Sequence, residues 1–178
     1  SMDLAALSLG GRVALLYAAG HAARLRSLAL LYFFAADWHG RESAPLDRPP
    51  ASYGEREAIL DRFRLQPAGT LLDAAALRKV GLNSVRQAPD GRWRWKFDWR
   101  ALYPRQPWDP AEPSKAVMPT LLLRGEASLT MPPASFKSVL NALPDARGVV
   151  IPRAHHHITL DAPAETAGAL ASFWESLP

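Results

Sequence analysis

The stretch Ala6-Leu7-Ser8-Leu9-Gly10-Gly11 decides the fold of this chain, because an apolar, helix-forming run follows it directly at residues 12–19 (RVALLYAA). Small residues two positions before and after Ser8 allow the backbone to turn sharply from a strand into a helix. On such a turn the serine is strained and its hydroxyl oxygen is exposed. The N–H groups that begin the helix point toward any oxyanion formed beside it. The pattern indicates a nucleophile; the simpler alternative is a serine that caps the helix above a glycine turn.

The composition is typical of one globular domain. The chain has 178 residues, of which 48% are hydrophobic, enough for a sizeable core. It contains no run near the ~20 apolar residues of a membrane span and no signal-peptide pattern, so we expect a cytoplasmic protein without membrane contact. The absence of cysteine excludes disulfides and thiolate chemistry. The net charge of +4 is scattered along the chain, which disfavours nucleic-acid binding. The bias toward Ala, Arg and Pro suggests a GC-rich bacterial source.

Working outward from the turn, strand and helix signals alternate at both ends of the chain. Residues 2–34 predict a short strand, the serine turn, a helix and a buried strand within Leu25–Phe34. Residues 35–50 read as a loop, and residues 51–117 differ in character. Two stretches in that central part have helical spacing: Glu55–Phe63 and Thr70–Val80.

The last part of the chain, residues 118–178, predicts two more strands and two helices. The strands are Thr120–Leu123 and Gly148–Ile151, and the helices are Pro133–Leu143 and Pro163–Leu177. This order predicts an α/β protein with a parallel sheet and flanking helices.

Three stretches are similar to the C-terminal part of an α/β-hydrolase. SLGGRVALLYAAGHAARLRSLALL (8–31) resembles the nucleophile elbow, the following helix and the next strand of that family. MPTLLLRGEASL (118–129) resembles a later core strand with its loop, and IPRAHHHITLDAP (151–163) resembles the histidine loop. The resemblance implies a partial α/β-hydrolase fold, with a mostly parallel sheet and an inserted helical cap. Its core is assigned to residues 1–34 and 117–178, and its cap or lid to residues 35–116.

The same resemblance implies the roles of three site residues. Ser8 is the expected nucleophile and His156 the expected general base, which takes the serine proton and returns it to the leaving group. The N–H of Leu9 is the expected oxyanion donor. We expect no cofactor and no metal.

The carboxylate that orients the histidine does not stand where the family places it. The usual position after the later strand is Ser128, and the alternative position after the earlier strand falls at about Tyr32. The nearest carboxylates are Asp37, a few residues late, and Glu126, a few residues early. We favour Asp37, because the loop after that strand can bring an acid toward the histidine.

The resemblance begins only at the elbow. The family's preceding strands, and the loop that supplies its second oxyanion donor, have no counterpart in residues 2–7. The strand before Ser8 is then expected at a sheet edge with unpaired backbone groups. We expect a homo-oligomer formed through this edge; a sequence that lacks an N-terminal half would look the same.

Other polar residues have plainer interpretations. Three adjacent histidines, His155 to His157, lack the spacing of a zinc site, so we expect only His156 to point inward. Asp161 is expected to cap the last helix rather than to act in catalysis. Arg124 and Glu126 are expected to pair at the surface.

The segment RWRWKFDW (92–99) alternates aromatic and mostly basic residues. As a strand it would have an aromatic face and a basic face, whereas base stacking needs both on one side. We therefore expect the aromatic face to pack on the core or to line an acyl-binding cleft.

Taken together, the sequence predicts a serine hydrolase that cleaves a small apolar carboxylic ester or similar acyl substrate. The alternative is a catalytically inactive module of the same fold that binds a small apolar ligand or a protein partner.

Overall fold

A computed structural model describes residues 1–32, 50–102, 109 and 111–178 of the chain. Its strands are β1 (Met2–Leu7), β2 (Leu25–Leu31), β3 (Val85–Gln87), β4 (Trp93–Trp95), β5 (Thr120–Gly125) and β6 (Ala146–Ile151). Its α-helices are α1 (Leu9–His21), α2 (Arg56–Leu60), α3 (Ala74–Asn83), α4 (Pro133–Ala142), α5 (Ile158–Asp161) and α6 (Pro163–Glu175). Short 3₁₀ turns follow α1 and precede β5. These elements form two compact units: one holds the described residues of 1–37, 69–71 and 108–178, the other those of 38–68 and 72–107.

The first unit is built on a four-stranded sheet in the order β1-β2-β5-β6. All three neighbouring pairs are parallel, as the alternation of strands and helices predicted. Parallel neighbours align their carboxyl ends at one edge of the sheet, so Ser8 after β1, Tyr32 after β2 and Glu126 after β5 follow adjacent strands. Strand β1 lies at the end of this order; the predicted self-association through it stays a prediction.

Alternate residues of the central strands β2 and β5 pack into two separate cores, one on each face of the sheet. Leu28, Leu30 and Leu122 point to the face that is covered by α1 and α4. Ala29, Leu31, Leu121 and Leu123 belong to the core that includes Ile158 of α5 and Phe173 of α6. Both faces of these strands are therefore buried, which explains their continuous apolar sequence.

The second unit has a small core of its own. Ile59, Leu60 and Val85 are buried there, and Tyr53, Trp93 and Trp95 pack against them. The alternating segment forms a strand only at Trp93–Trp95, paired antiparallel with β3. Two of its aromatic side chains thus pack on the core, whereas Phe97 is 54% exposed. The assignment of 35–116 as a lid stays a prediction.

None of the helices in the described ranges is both long and apolar enough to cross a membrane. The helices and strands that the sequence predicted end within a few residues of their predicted bounds, except that α2 and β4 are shorter than their sequence patterns. The short elements β3 and α5 were not predicted.

Candidate active site

Ser8 occupies a strained turn between β1 and α1. Its φ of 55° and ψ of −120° lie in a region that non-glycine residues rarely adopt. Its N–H donates to the carbonyl oxygen of Tyr32 at 2.8 Å, and its own carbonyl accepts from Arg12 N–H at 3.3 Å. Ser8 holds the N-cap position of α1, but its hydroxyl makes no capping hydrogen bond to the helix, so the side-chain cap of the alternative interpretation is not formed.

The hydroxyl of Ser8 faces His156 instead. Ser8 Oγ lies 2.9 Å from His156 Nε2, although 148 residues separate the two in sequence. His156 is only 2% exposed, whereas His155 and His157 are partly exposed, as predicted for the three adjacent histidines. The described ranges contain no group of three or more His, Asp or Glu side chains arranged to hold a metal ion.

Leu9 is the first residue of α1. The first N–H groups of a helix have no partner within that helix and lie at its positive end. The Leu9 N–H therefore starts the helix directly beside the Ser8 hydroxyl, where an oxyanion would need a donor.

The end of β5 holds the loop that carries His156. Glu126 N–H donates to Ile151 O at 2.9 Å, and Ala127 N–H donates to Ala154 O at 2.9 Å. The exposed Glu126 carboxylate accepts the N–H of Arg153 at 2.8 Å, a residue with a φ of 62°. Glu126 thus contacts the backbone of the loop and not the histidine ring.

A hydroxyl, not a carboxylate, stands at the other ring nitrogen of His156 within the described part of the chain. Thr130 Oγ1 lies 3.2 Å from His156 Nδ1, and Ser128 Oγ lies 3.4 Å from Thr130 Oγ1. The ring of Tyr32 meets the His156 ring edge-on, with centroids 4.1 Å apart. Asp37, the favoured acid, lies outside the described residues.

Sequence reasoning missed Thr130. The available signal was that both acid positions of the family hold hydroxyl residues, Tyr32 and Ser128. Thr130 contacts Nδ1 of the imidazole, and the hydroxyls of Ser128 and Tyr32 interact with Thr130.

Burial governs the charge states of His156 and Tyr32. It lowers the pKa of His156 to about 4, and the neighbouring His157 adds to the effect. It also raises the pKa of Tyr32 to about 12, against the opposing effects of a hydrogen bond with Thr130 and of the Arg124 charge. At neutral pH the imidazole is therefore uncharged, the state in which Nε2 can accept the proton of Ser8.

The sequence suggested that Arg124 pairs with the Glu126 carboxylate, but this prediction is wrong. Its side chain is buried and donates from Nε to Met131 O at 2.6 Å and from Nη2 to Glu126 O at 3.0 Å. A guanidinium at the end of a buried strand can satisfy its donors with the carbonyls of the next loop. Arg124 therefore fixes the loop on which Thr130 lies.

Asp161 is not the cap of the last helix; that expectation was wrong. Helix α6 begins at Pro163 after Ala162, whereas Asp161 ends the short helix α5. Its Oδ2 accepts His155 N–H at 2.8 Å. Its Oδ1 accepts the Thr70 hydroxyl at 2.6 Å and Leu71 N–H at 2.8 Å. Although burial opposes ionisation, these hydrogen bonds lower the pKa of Asp161 below its usual value.

We expect Asp161→Asn to lower the free energy of unfolding by about 2 kcal/mol, because an amide donor would face the His155 N–H and the charge on the acceptor would be lost. The measurement is urea denaturation at pH 7. Asp145→Asn is the control, since Asp145 is an exposed acid. Equal midpoints for the two variants would contradict the role assigned to Asp161.

Comparison with solved structures identifies the fold of this chain. No family model and no curated protein matches the chain. Among solved structures, it is similar to E-2-(acetamidomethylene)succinate hydrolase, with 22% identity and a TM-score of 0.75 over 98% of this chain and 66% of that one. It is also similar to an esterase from Mycobacterium tuberculosis, with 18% identity and a TM-score of 0.76 over 98% and 62% of the two chains.

A third similar structure is an α/β hydrolase from Novosphingobium aromaticivorans DSM 12444, with 21% identity and a TM-score of 0.66 over 97% of this chain and 65% of that one. The chain therefore has the α/β-hydrolase fold, as its sequence predicted. It spans about two thirds of the length of each of these structures.

Proposed function

We propose that the chain is a serine hydrolase that cleaves carboxylic esters or similar acyl substrates. The observation that carries the proposal is the 2.9 Å contact between Ser8 Oγ and His156 Nε2, on a strand-to-helix turn with a positive φ. The similar structures named as a hydrolase and an esterase support the same class of reaction. The apolar character of the acyl group is inferred from the sequence composition.

In the proposed reaction, Ser8 Oγ attacks the carbonyl carbon of the ester while its proton passes to His156 Nε2. The carbonyl oxygen becomes an oxyanion that accepts a hydrogen bond from the Leu9 N–H. Collapse of this intermediate breaks the bond to the alkoxy group, which leaves as an alcohol with the proton from His156. Water, deprotonated by His156, then attacks the acyl-serine and releases the carboxylic acid and free Ser8.

The test is labelling by a fluorophosphonate, which reacts with activated serines, followed by intact mass spectrometry. We expect one adduct in the wild type, none in Ser8→Ala, and a rate about 100-fold or more lower in His156→Gln, because the base that accepts the serine proton is lost. Ser138→Ala and His21→Gln are matched controls on exposed helix positions and should label like the wild type.

A second candidate function is a catalytically inactive module that binds a small apolar ligand or a protein partner. The neutral Thr130 hydroxyl beside His156 Nδ1 favours it, because a carboxylate at this nitrogen normally stabilises the imidazolium. A folded wild type that forms no adduct would contradict the hydrolase and leave this candidate.

A further inference from the structure

We propose that Thr130 is the positioning residue of His156, holding the imidazole with a neutral hydroxyl where related reactions use a carboxylate. The inference rests on the proposed function, in which His156 is the base. Thr130 acts by orienting His156 and does not contact the substrate.

Thr130 is held in place from both directions along the chain. The next residue, Met131, is 1% exposed, and its carbonyl oxygen accepts the hydrogen bond from Arg124 Nε at 2.6 Å. Ser128, two residues earlier, is buried, and its N–H donates to Gly125 O at 3.1 Å. The branched side chain of threonine also restricts its own rotation. The hydroxyl is thus fixed 3.2 Å from His156 Nδ1.

The direction of the hydrogen bonds of Thr130 follows from the role of His156 as a base. For His156 Nε2 to accept the proton of Ser8, Nδ1 must carry a hydrogen and donate it. Thr130 Oγ1 accepts the hydrogen bond from Nδ1–H, and its own O–H donates to an adjacent hydroxyl oxygen, that of Ser128 or Tyr32. Because each hydroxyl can donate and accept, the three hydroxyls accommodate the tautomer that the base needs.

A hydroxyl performs only part of what a carboxylate performs. It orients the ring, but it brings no negative charge to stabilise the imidazolium that forms during the reaction. Replacing the aspartate of a Ser-His-Asp triad by asparagine, which holds the histidine in the wrong tautomer, costs ~10,000-fold in rate. One neutral hydrogen bond accounts for about tenfold, so the effect of Thr130 should be smaller.

The experiment compares Thr130→Val, which keeps the shape without the hydroxyl, with Thr130→Ser, which keeps the hydroxyl. The matched control is Thr159→Val, at an exposed position of α5. The readouts are the rate constant of fluorophosphonate labelling at pH 7 and the ¹⁵N chemical shifts of the His156 ring, which report which nitrogen carries the hydrogen. Melting temperatures establish that each variant is folded.

We expect Thr130→Val to label about tenfold more slowly and to shift the hydrogen of His156 away from Nδ1. Thr130→Ser should restore the wild-type nitrogen shifts and most of the rate. Unchanged nitrogen shifts in Thr130→Val overturn this inference, and so does a loss of labelling in Asp37→Asn that Thr130→Val does not share. A folded wild type that never labels overturns the proposed function instead, while the nitrogen shifts still report on Thr130.

Discussion

Replacing Gly125 by alanine is expected to destabilise the chain by about 3 kcal/mol and to abolish labelling of Ser8. A Cβ at position 125 would lie 2.0 Å from His155 O and 2.4 Å from Ala154 O. Both oxygens belong to the backbone of the histidine loop, so no side-chain rotation relieves the overlap. The loop must move by more than 1 Å to reach ordinary contact, and overpacking of this kind costs ~1–3 kcal/mol or more. His156 would move with it, away from Ser8.

The control for this prediction is Gly168→Ala in helix α6, where a Cβ would meet no atom within 4 Å. Alanine in a helix interior is favoured over glycine by up to ~1 kcal/mol, so this variant should be as stable as the wild type or more stable. Urea denaturation and fluorophosphonate labelling measure both variants. Wild-type labelling by Gly125→Ala would mean that the loop tolerates displacement and that its contact with β5 does not set the geometry of His156.

The sequence was sufficient to predict the features that depend on local patterns. Continuous apolar runs marked β2 and β5, because both faces of these strands are buried. The small residues around Ser8 predicted the turn, although a Cβ on Gly10 would lie at an ordinary 3.9 Å from the Ala6 side chain. The inward direction of His156 followed from its place in a loop that resembles a known one.

Features that depend on distant partners could not be predicted in the same way. Asp161 bonds to Thr70 and Leu71, about 90 residues away, and the local sequence Asp-Ala-Pro gives no sign of these partners. Arg124 looks like an exposed charge in the sequence, and only the fold of the following loop supplies the carbonyls that permit its burial. For the same reason the contact of Thr130 with His156 could be recognised only from the position of the His156 ring in the folded chain.

The reactivity of Ser8 is expected to be nearly independent of pH between about pH 8 and pH 5. Nucleophilic attack needs neutral His156, and burial lowers the pKa of this group to about 4. With an ordinary histidine pKa of ~6.5, the neutral fraction would fall about 30-fold by pH 5. With a pKa of about 4 it falls by only ~10%. A carboxylate against His156, such as that of Asp37, would raise the pKa and make labelling decline near neutral pH. The pH profile of labelling therefore distinguishes a hydroxyl from an acid at Nδ1.

The low pKa of His156 also makes the stability of the chain depend on pH. Between the unfolded pKa of ~6.5 and the folded pKa of about 4, the unfolded chain binds a proton that the folded chain does not. Stability is therefore full above about pH 6.5, falls as the pH is lowered, and has lost about 2 kcal/mol from this group at pH 5. His156→Gln removes the titrating group, so its free energy of unfolding should change less than that of the wild type between pH 7 and pH 5. Ser138→Ala, at an exposed position without a titrating group, should keep the wild-type slope. Identical slopes for the wild type and His156→Gln would mean that His156 titrates normally in the folded chain. That result would contradict the expectation of a buried, uncharged base.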